Sequence, residues 1–323
     1  MKNWINRLLS GSDGAAAPAA TAQAQQASAP AEDPGVEIDA TYYRWLTASA
    51  GYHAPEDVER RILDELEVLA GDPAAAAGLV PRVPEVITQL LRSLDDEGVS
   101  NADLARHAAQ DVVLVAEVIR EANSAYYRPL TPVKTVEAAI MMLGQNGLRM
   151  LLARLAFRPL IRMQAHGFAK RAAPQVWSQS EKCALAASLM APGVTAGAFE
   201  AYLAGLMQNV GQVVAFRIVD RVCGDGRAPS SRAFGAALQE HSRRLSATVA
   251  AHWEFPQDVC AAIGAAGHPG ELPLARALAL GDRIAKLRVL IDGAVIGEED
   301  SLVTEGLDAF QRRCLNKLSL VEE

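Results

Sequence analysis

Residues 199–216 read Phe199-Glu-Ala-Tyr-Leu-Ala-Gly-Leu-Met-Gln-Asn-Val-Gly-Gln-Val-Val-Ala-Phe216, and this stretch decides the fold. Phe199, Tyr202, Leu203, Leu206, Met207, Val210, Val213 and Val214 recur at three- and four-residue steps, the period of one helix face. The spacing predicts a single amphipathic helix over the whole stretch. Gly205, Gln208, Asn209 and Gln212 stand at i, i+3, i+4 and i+7 and form a second, polar stripe along it.

The same period extends in both directions. Helices are expected over Ile38–Tyr52 and Pro55–Leu69, the second opened by Pro55 and stopped by Gly71, Asp72 and Pro73. A short spacer, Ala74–Gly78, follows. Val86, Leu90, Leu91 and Leu94 make one further stripe, and Leu114, Val115, Val118 and Ile119 another, with Ser100 and Asp103 between them resembling a capping box. Beyond the turn bracketed by Pro129 and Pro132, helical stripes recur to Leu318, including Leu148–Ile161, Val176–Met190 and Leu274–Leu290. No convincing period-2 strand is present, and Asn146-Gly147 lies between helical stripes instead of in a hairpin. The expected class is all-α.

Composition narrows the function. In 323 residues, 31 Lys and Arg face 38 Asp and Glu, a formal charge of −7, which argues against extended nucleic-acid binding. Cys183, Cys223, Cys260 and Cys314 are too scattered for a CxxC metal or redox motif, and they suit small core residues in a reducing compartment. No apolar run is long enough to span a bilayer, and Met1–Ser10 lacks the apolar region of a signal peptide. A cytoplasmic protein is expected. Within Met1–Ser10, Trp4, Ile5, Leu8 and Leu9 sit at helical spacing beside Lys2 and Arg7. They form either a short docking helix with weak affinity for a partner or membrane surface, or a frayed terminus. Residues 12–35, rich in Ala, Pro, Gln and Ser, are expected to be a disordered linker. The expected organisation is a tail over residues 1–35, a helical pair over 36–75, a main domain over 76–272 and C-terminal helices over 273–323.

Three patterns occur in order along the main domain. The first runs from Leu79–Pro84 through Gln110-Asp111 to Ala122-Asn123-Ser124-Ala125-Tyr126. The second is Val136–Arg149, VEAAIMMLGQNGLR. The third begins at Trp177-Ser178-Gln179-Ser180 and ends at Gly205-Leu206-Met207-Gln208-Asn209-Val210-Gly211-Gln212. Their order and spacing resemble the HDOD domain, a helical relative of the HD-superfamily metal-dependent phosphohydrolases, across roughly Leu79 to Gly270.

Active HD enzymes bind one or two divalent metals through an early His, a later His-Asp pair and a further Asp, and the metal activates water for attack on a phosphoester. In related phosphodiesterases the pair continues as His-Asp-Ile-Gly-Lys. By the resemblance, Gln179 holds the early His position, and Gln208, Asn209 and Gln212 hold the His, Asp and Lys of that pattern. Each is an uncharged amide, a poor substitute for imidazole and carboxylate ligands. Asp282 matches the last metal Asp, although an Asp beside Arg283 also reads as a surface ion pair or cap. His268 lies where relatives carry a His pair, without its second His. His241 and His252 are about 16 Å apart along one helix, too far to share an ion. The amides therefore read as hydrogen-bonding residues that cap or cross-link buried backbone.

Asn123-Ser124 is consistent with a helix stop or with part of a ligand groove. Basic side chains gather at Arg149, Arg154, Arg158, Arg162, Lys170 and Arg171; Arg154, Arg158 and Arg162 are four apart and form one stripe, if Pro159 is only a first-turn kink. This stripe reads as a solvated face or as a surface for a phosphate or an acidic partner. No GxSxG elbow, P-loop or GxGxxG is present, and Glu240-His241 does not complete HExxH.

The resemblance implies a non-catalytic bacterial signal-transduction regulator without a cofactor, docking on signalling proteins such as histidine kinases or cyclic-di-GMP enzymes. Two alternatives stay open: a residual metal-dependent phosphohydrolase or phosphodiesterase using Asp282 and His268, and a nucleotide-sensing module that uses the degenerate cleft.

Overall fold

The computed structural model describes residues 34–48, 51–80, 106, 112–224 and 226–320. The expected N-terminal docking segment, the Val86–Leu94 stripe and the Ser100/Asp103 capping pair lie outside these residues, as does the linker up to residue 33.

The described chain is helical apart from two very short strands. In order it forms α1 (Pro34–Thr47), β1 (Gly51–Tyr52), α2 (Glu56–Ala70), α3 (Pro73–Gly78), α4 (Val112–Ala122), α5 (Val136–Arg162), α6 (Gly167–Met190), α7 (Ala198–Met207) and α8 (Val210–Cys223). There follow β2 (Ala228–Pro229), α9 (Arg232–His252), α10 (Gln257–Ala265), α11 (Pro273–Asp292), α12 (Ser301–Thr304) and α13 (Ala309–Leu318). Side-chain caps fix several starts: Thr135 accepts from Ala138 N, Ser231 from Phe234 N, and Asp308 with Gln311 closes a capping box on α13.

Four expectations are corrected. The first helix ends at Thr47, and Gly51–Tyr52 pairs in parallel with Ala228–Pro229, a match too short to leave a period-2 signal. Ala74–Gly78 is helical, because Asp72 caps Ala75 N and Pro73 sits in the first turn. Pro159 lies inside α5 near its C-terminal end, with the break in α5 at Gly144 instead. The stretch over residues 199–216 is two helices, broken at Gln208 and Asn209, where Asn209 takes φ −97° and ψ 2°.

α6 is the axis of the core. It is buried along nearly its whole length and packs against α11, α7, α8 and α5. Two glycines bring helices onto it. A Cβ on Gly205 would stand 2.5 Å from Ala184 Cα, and one on Gly281 2.6 Å from Ala187 N. Both α7 and α11 therefore approach α6 at backbone distance, closer than any larger residue allows. α1 packs on α11, α9 and α6, and α2 on α9 and α8, so the N-terminal helical pair is part of the same packed unit. Cys183 and Cys314 are buried and free, as small core residues are.

Candidate functional site

The close approach of α6, α7 and α11 places three separated sequence positions together. Gln179 projects from α6, Gln208 and Asn209 from the α7–α8 break, and Asp282 from α11. Gln179 Nε2 donates to Asp282 Oδ1 at 2.5 Å, and Gln208 Nε2 donates to the same oxygen at 3.1 Å and to Cys183 Sγ at 2.9 Å. A carboxylate only accepts, which is why both amides turn their nitrogen toward it. Asn209 Nδ2 donates to Gln179 Oε1 and, at 2.8 Å, to Ser180 Oγ, whose hydroxyl in turn donates to Val176 O. The break itself is tied down from α9: Ser246 Oγ donates to Gln208 O at 2.6 Å and accepts from Gly211 N at 2.8 Å.

The other oxygen of Asp282 meets a cation. Lys286 Nζ, one turn further along α11, donates to Asp282 Oδ2 at 2.6 Å and to Asp39 Oδ1 of α1 at 2.6 Å. Asp39 also accepts from Arg243 Nη2 of α9 at 3.3 Å. Lys286 is only 3% exposed. Burial by itself would lower its pKa, but the carboxylates of Asp282 and Asp39 outweigh that and hold the ammonium above the ordinary lysine value. Burial would likewise raise Asp39, and Lys286 and Arg243 overcome it and hold the carboxyl below its ordinary value. Burial, followed by the field of Asp282, pushes the Cys183 thiol well up, so it stays protonated as a weak hydrogen-bonding partner.

This donor set does not fit a divalent metal. Two carboxylates are already matched by two protein cations, the remaining groups are amides directed at Asp282, and an ammonium lies between the carboxylates. Among the described residues no three His, Cys, Asp or Glu side chains converge as a metal cage. Asp282 therefore faces the cleft, with its side chain 16% exposed, instead of forming a surface pair with Arg283. Gln212 lines the small cavity beside Gln208 and Asn209. His268 is exposed on the turn after α10. It lines a groove of about 800 Å³ at the mouth of the cleft, together with Arg232, Arg243, Arg244 and Arg276.

The other candidate residues lie elsewhere. Asn123 closes the loop after α4: its Nδ2 donates to Ile119 O at 2.9 Å and Val133 O at 2.8 Å, and its Oδ1 accepts from Val133 N at 2.8 Å. Within the arginine stripe, Arg154 does not face solvent. Arg154 is a buried double ion pair, 2.6 Å from Glu121 and 3.2 Å from Glu181, with its side chain 17% exposed. Arg158 and Ser124 line a separate cavity, and Arg162 is exposed at the end of α5. Sequence reasoning missed Lys286 and Asp39. The Asp282/Lys286 spacing of i, i+4 was a usable signal; Asp39, about 240 positions away, left none.

The described residues form a helical bundle with two very short strands. The HDOD domain family matches residues 80–269, more than half of the chain, and the chain belongs to that family. It is 25% identical over 181 residues to an uncharacterized protein of Treponema pallidum (strain Nichols), covering 55% of this chain and 33% of that one. The chain thus spans about a third of the length of that curated relative. Three solved structures share the fold. A provisionally named metal-dependent phosphohydrolase from Shewanella amazonensis SB2B has a TM-score of 0.57 at 20% identity, covering 82% of this chain and all of that one. An HDOD domain protein of unknown function from Geobacter sulfurreducens has a TM-score of 0.52 at 18% identity, covering 88% and 94%. A provisionally named signal transduction protein from Marinobacter aquaeolei VT8 has a TM-score of 0.50 at 22% identity, covering 89% and 64%. No helix among the described residues is long and apolar enough to cross a membrane.

Proposed function

We propose that this chain is a signal-transduction regulator that acts by binding other signalling proteins, histidine kinases or cyclic-di-GMP enzymes, without hydrolysing a phosphoester. The observation that carries this reading is the ammonium of Lys286 between Asp282 and Asp39. Water activation at an HD-type cleft requires a metal charge held by anionic or imidazole ligands. Here Asp282, the carboxylate that the resemblance assigns to the cleft, is neutralised by a lysine of its own helix and capped by two amides, and no charge is left over to hold an ion.

The groove at the mouth of this cleft supplies a surface. Arg276 faces it, while Arg232, Arg243 and Arg244 on the same face are paired with Glu37, Asp39 and Glu67, and a mixed charged face of this kind suits a charged surface on a partner. The test is a binding assay of the purified chain against the histidine kinases and cyclic-di-GMP enzymes of its host. The reading expects saturable binding to at least one, weakened by added salt and by Arg276→Glu. No binding to any of them, together with metal-stimulated hydrolysis of bis-p-nitrophenyl phosphate, would overturn it.

A further inference from the structure

A second cavity, of about 320 Å³, lies between the loop after α4 and helices α5, α6 and α7, and it shares no lining residue with the amide–carboxylate cleft. Tyr127, Trp177 and Tyr202 give it aromatic walls. Two polar groups in the wall make no hydrogen bond among the described residues. Ser124 Oγ is sealed from solvent and makes no hydrogen bond among the described residues, whereas buried hydroxyls are nearly always satisfied. Arg158 is half-buried and, among the described residues, forms no ion pair or hydrogen bond. Its neighbour one turn earlier is the opposite case, since Arg154 is fully taken up by Glu121 and Glu181. Burial pushes the Glu181 carboxyl up, against the opposing fields of Arg154, Lys182 and Arg158. Arg158 is therefore the guanidinium of the wall that makes no direct hydrogen bond among the described residues.

The site is also pre-organised. Asn123 fastens both ends of the loop that carries Ser124 and Tyr127, through bonds to Ile119 and Val133, so little ordering is left for a ligand to impose. The volume lies at the small end of the range for ligand cavities, about 300–1,000 Å³. A volume of this size accommodates a single aromatic ring system with its anionic arm.

We propose that this cavity binds a small planar aromatic molecule carrying one anionic group, with Arg158 bonded to the anion, Ser124 Oγ hydrogen-bonded beside it and the ring against Tyr127, Trp177 and Tyr202. A nucleoside monophosphate and an aromatic carboxylate share this chemistry. Trp177 and Glu181 flank Gln179 on α6, so one helix carries both a wall of this cavity and the amide cluster.

The experiment is calorimetric titration of the full chain with adenosine monophosphate and, separately, with indole-3-acetate. At least one probe binds at a ratio of one to one, and which one identifies the anion as phosphate or carboxylate. Arg158→Gln weakens binding about tenfold or more, the scale of a lost charge-assisted arginine–anion contact. Ser124→Ala separates a ligand site from a structural role. It removes a hydroxyl that is unsatisfied without ligand, so it leaves the melting temperature unchanged or higher while weakening the probe several-fold. Failure of both probes to bind the wild-type chain at millimolar concentration overturns the proposal. So does an Arg158→Gln chain that binds as tightly as wild type. If Arg158→Gln does not fold, Ser124→Ala decides: unchanged probe affinity counts against the site.

Discussion

Replacing Lys286 with Met removes the cation on which the cleft closes. The methylene chain and its packing are retained, but Asp282 and Asp39 lose their shared partner at 2.6 Å each. Breaking a buried ion pair by removing one member costs about 3–5 kcal/mol, because the other member is left charged and desolvated. Asp282 is 16% exposed and Asp39 30% exposed on its side chain, so water offsets part of this. Arg243 also remains on Asp39. An expected loss is then about 2–4 kcal/mol, a large share of the total stability of an ordinary domain. Urea unfolding followed by circular dichroism reads it as a fall of the midpoint by about 1 M at the slopes usual for folded domains. Adding Asp39→Asn and Asp282→Asn to Lys286→Met neutralises the orphaned carboxylates and recovers most of the loss. A Lys286→Met chain within about 0.5 kcal/mol of wild type, the scatter of ordinary surface substitutions, would refute the assignment of Lys286 as the cation of the cleft. A triple variant less stable than the single one would do the same.

The network also sets a pH window. Asp39 is lowered in the fold, so its contribution is complete above its ordinary value of 3.8 and is lost as pH falls through the lowered value. Lys286 is raised, so its contribution is complete below 10.5 and is lost as pH rises through the raised value. The stability difference between wild type and Asp39→Asn, measured across pH, is expected to be flat from about 5 to 9 and to close at the acid end; a difference that grows toward acid contradicts the pairing. Asp220 of α8 accepts from Phe168 N at 2.7 Å and Ala169 N at 2.9 Å and so caps the start of α6 from outside it. Asp220→Ala is expected to cost about 2 kcal/mol in the same unfolding assay, as a lost cap does. Gly281→Val drives a side chain into Ala187 N and is expected to cost about 3 kcal/mol or to block folding, in the range of core overpacking.

Much of the fold was legible because helices built on one apolar stripe declare their period. The exceptions have physical causes. The apolar and polar stripes over residues 199–216 both continue across Gln208 and Asn209, so nothing in the pattern marks the break. The turn exists because Ser246 holds its backbone and Asp282 draws in the Gln208 side chain, which are tertiary bonds. Arginines at i, i+4 look alike whether solvated or buried, and only the folded chain places Glu121 and Glu181 around Arg154. The reading of Gln179, Gln208 and Asn209 as amides at metal-ligand positions rests on the resemblance alone. What those amides bind was not visible in the sequence, since their partner Asp282 is itself oriented by Lys286. Asp39 lies outside the segment matched by the family and reaches the cleft only because α1 packs across α11 and α9.

The central claim is that a lysine ammonium takes the role of the metal charge in this cleft. Its most direct test is the metal content per chain, measured by mass spectrometry on protein prepared without chelator or metal-affinity resin and then equilibrated with Fe, Mn or Zn. The account predicts below about a tenth of an equivalent of any of the three, with no change on loading, since amides and a neutralised carboxylate do not retain a divalent ion. One or two equivalents held through gel filtration, and lost in an Asp282→Ala chain, would contradict it.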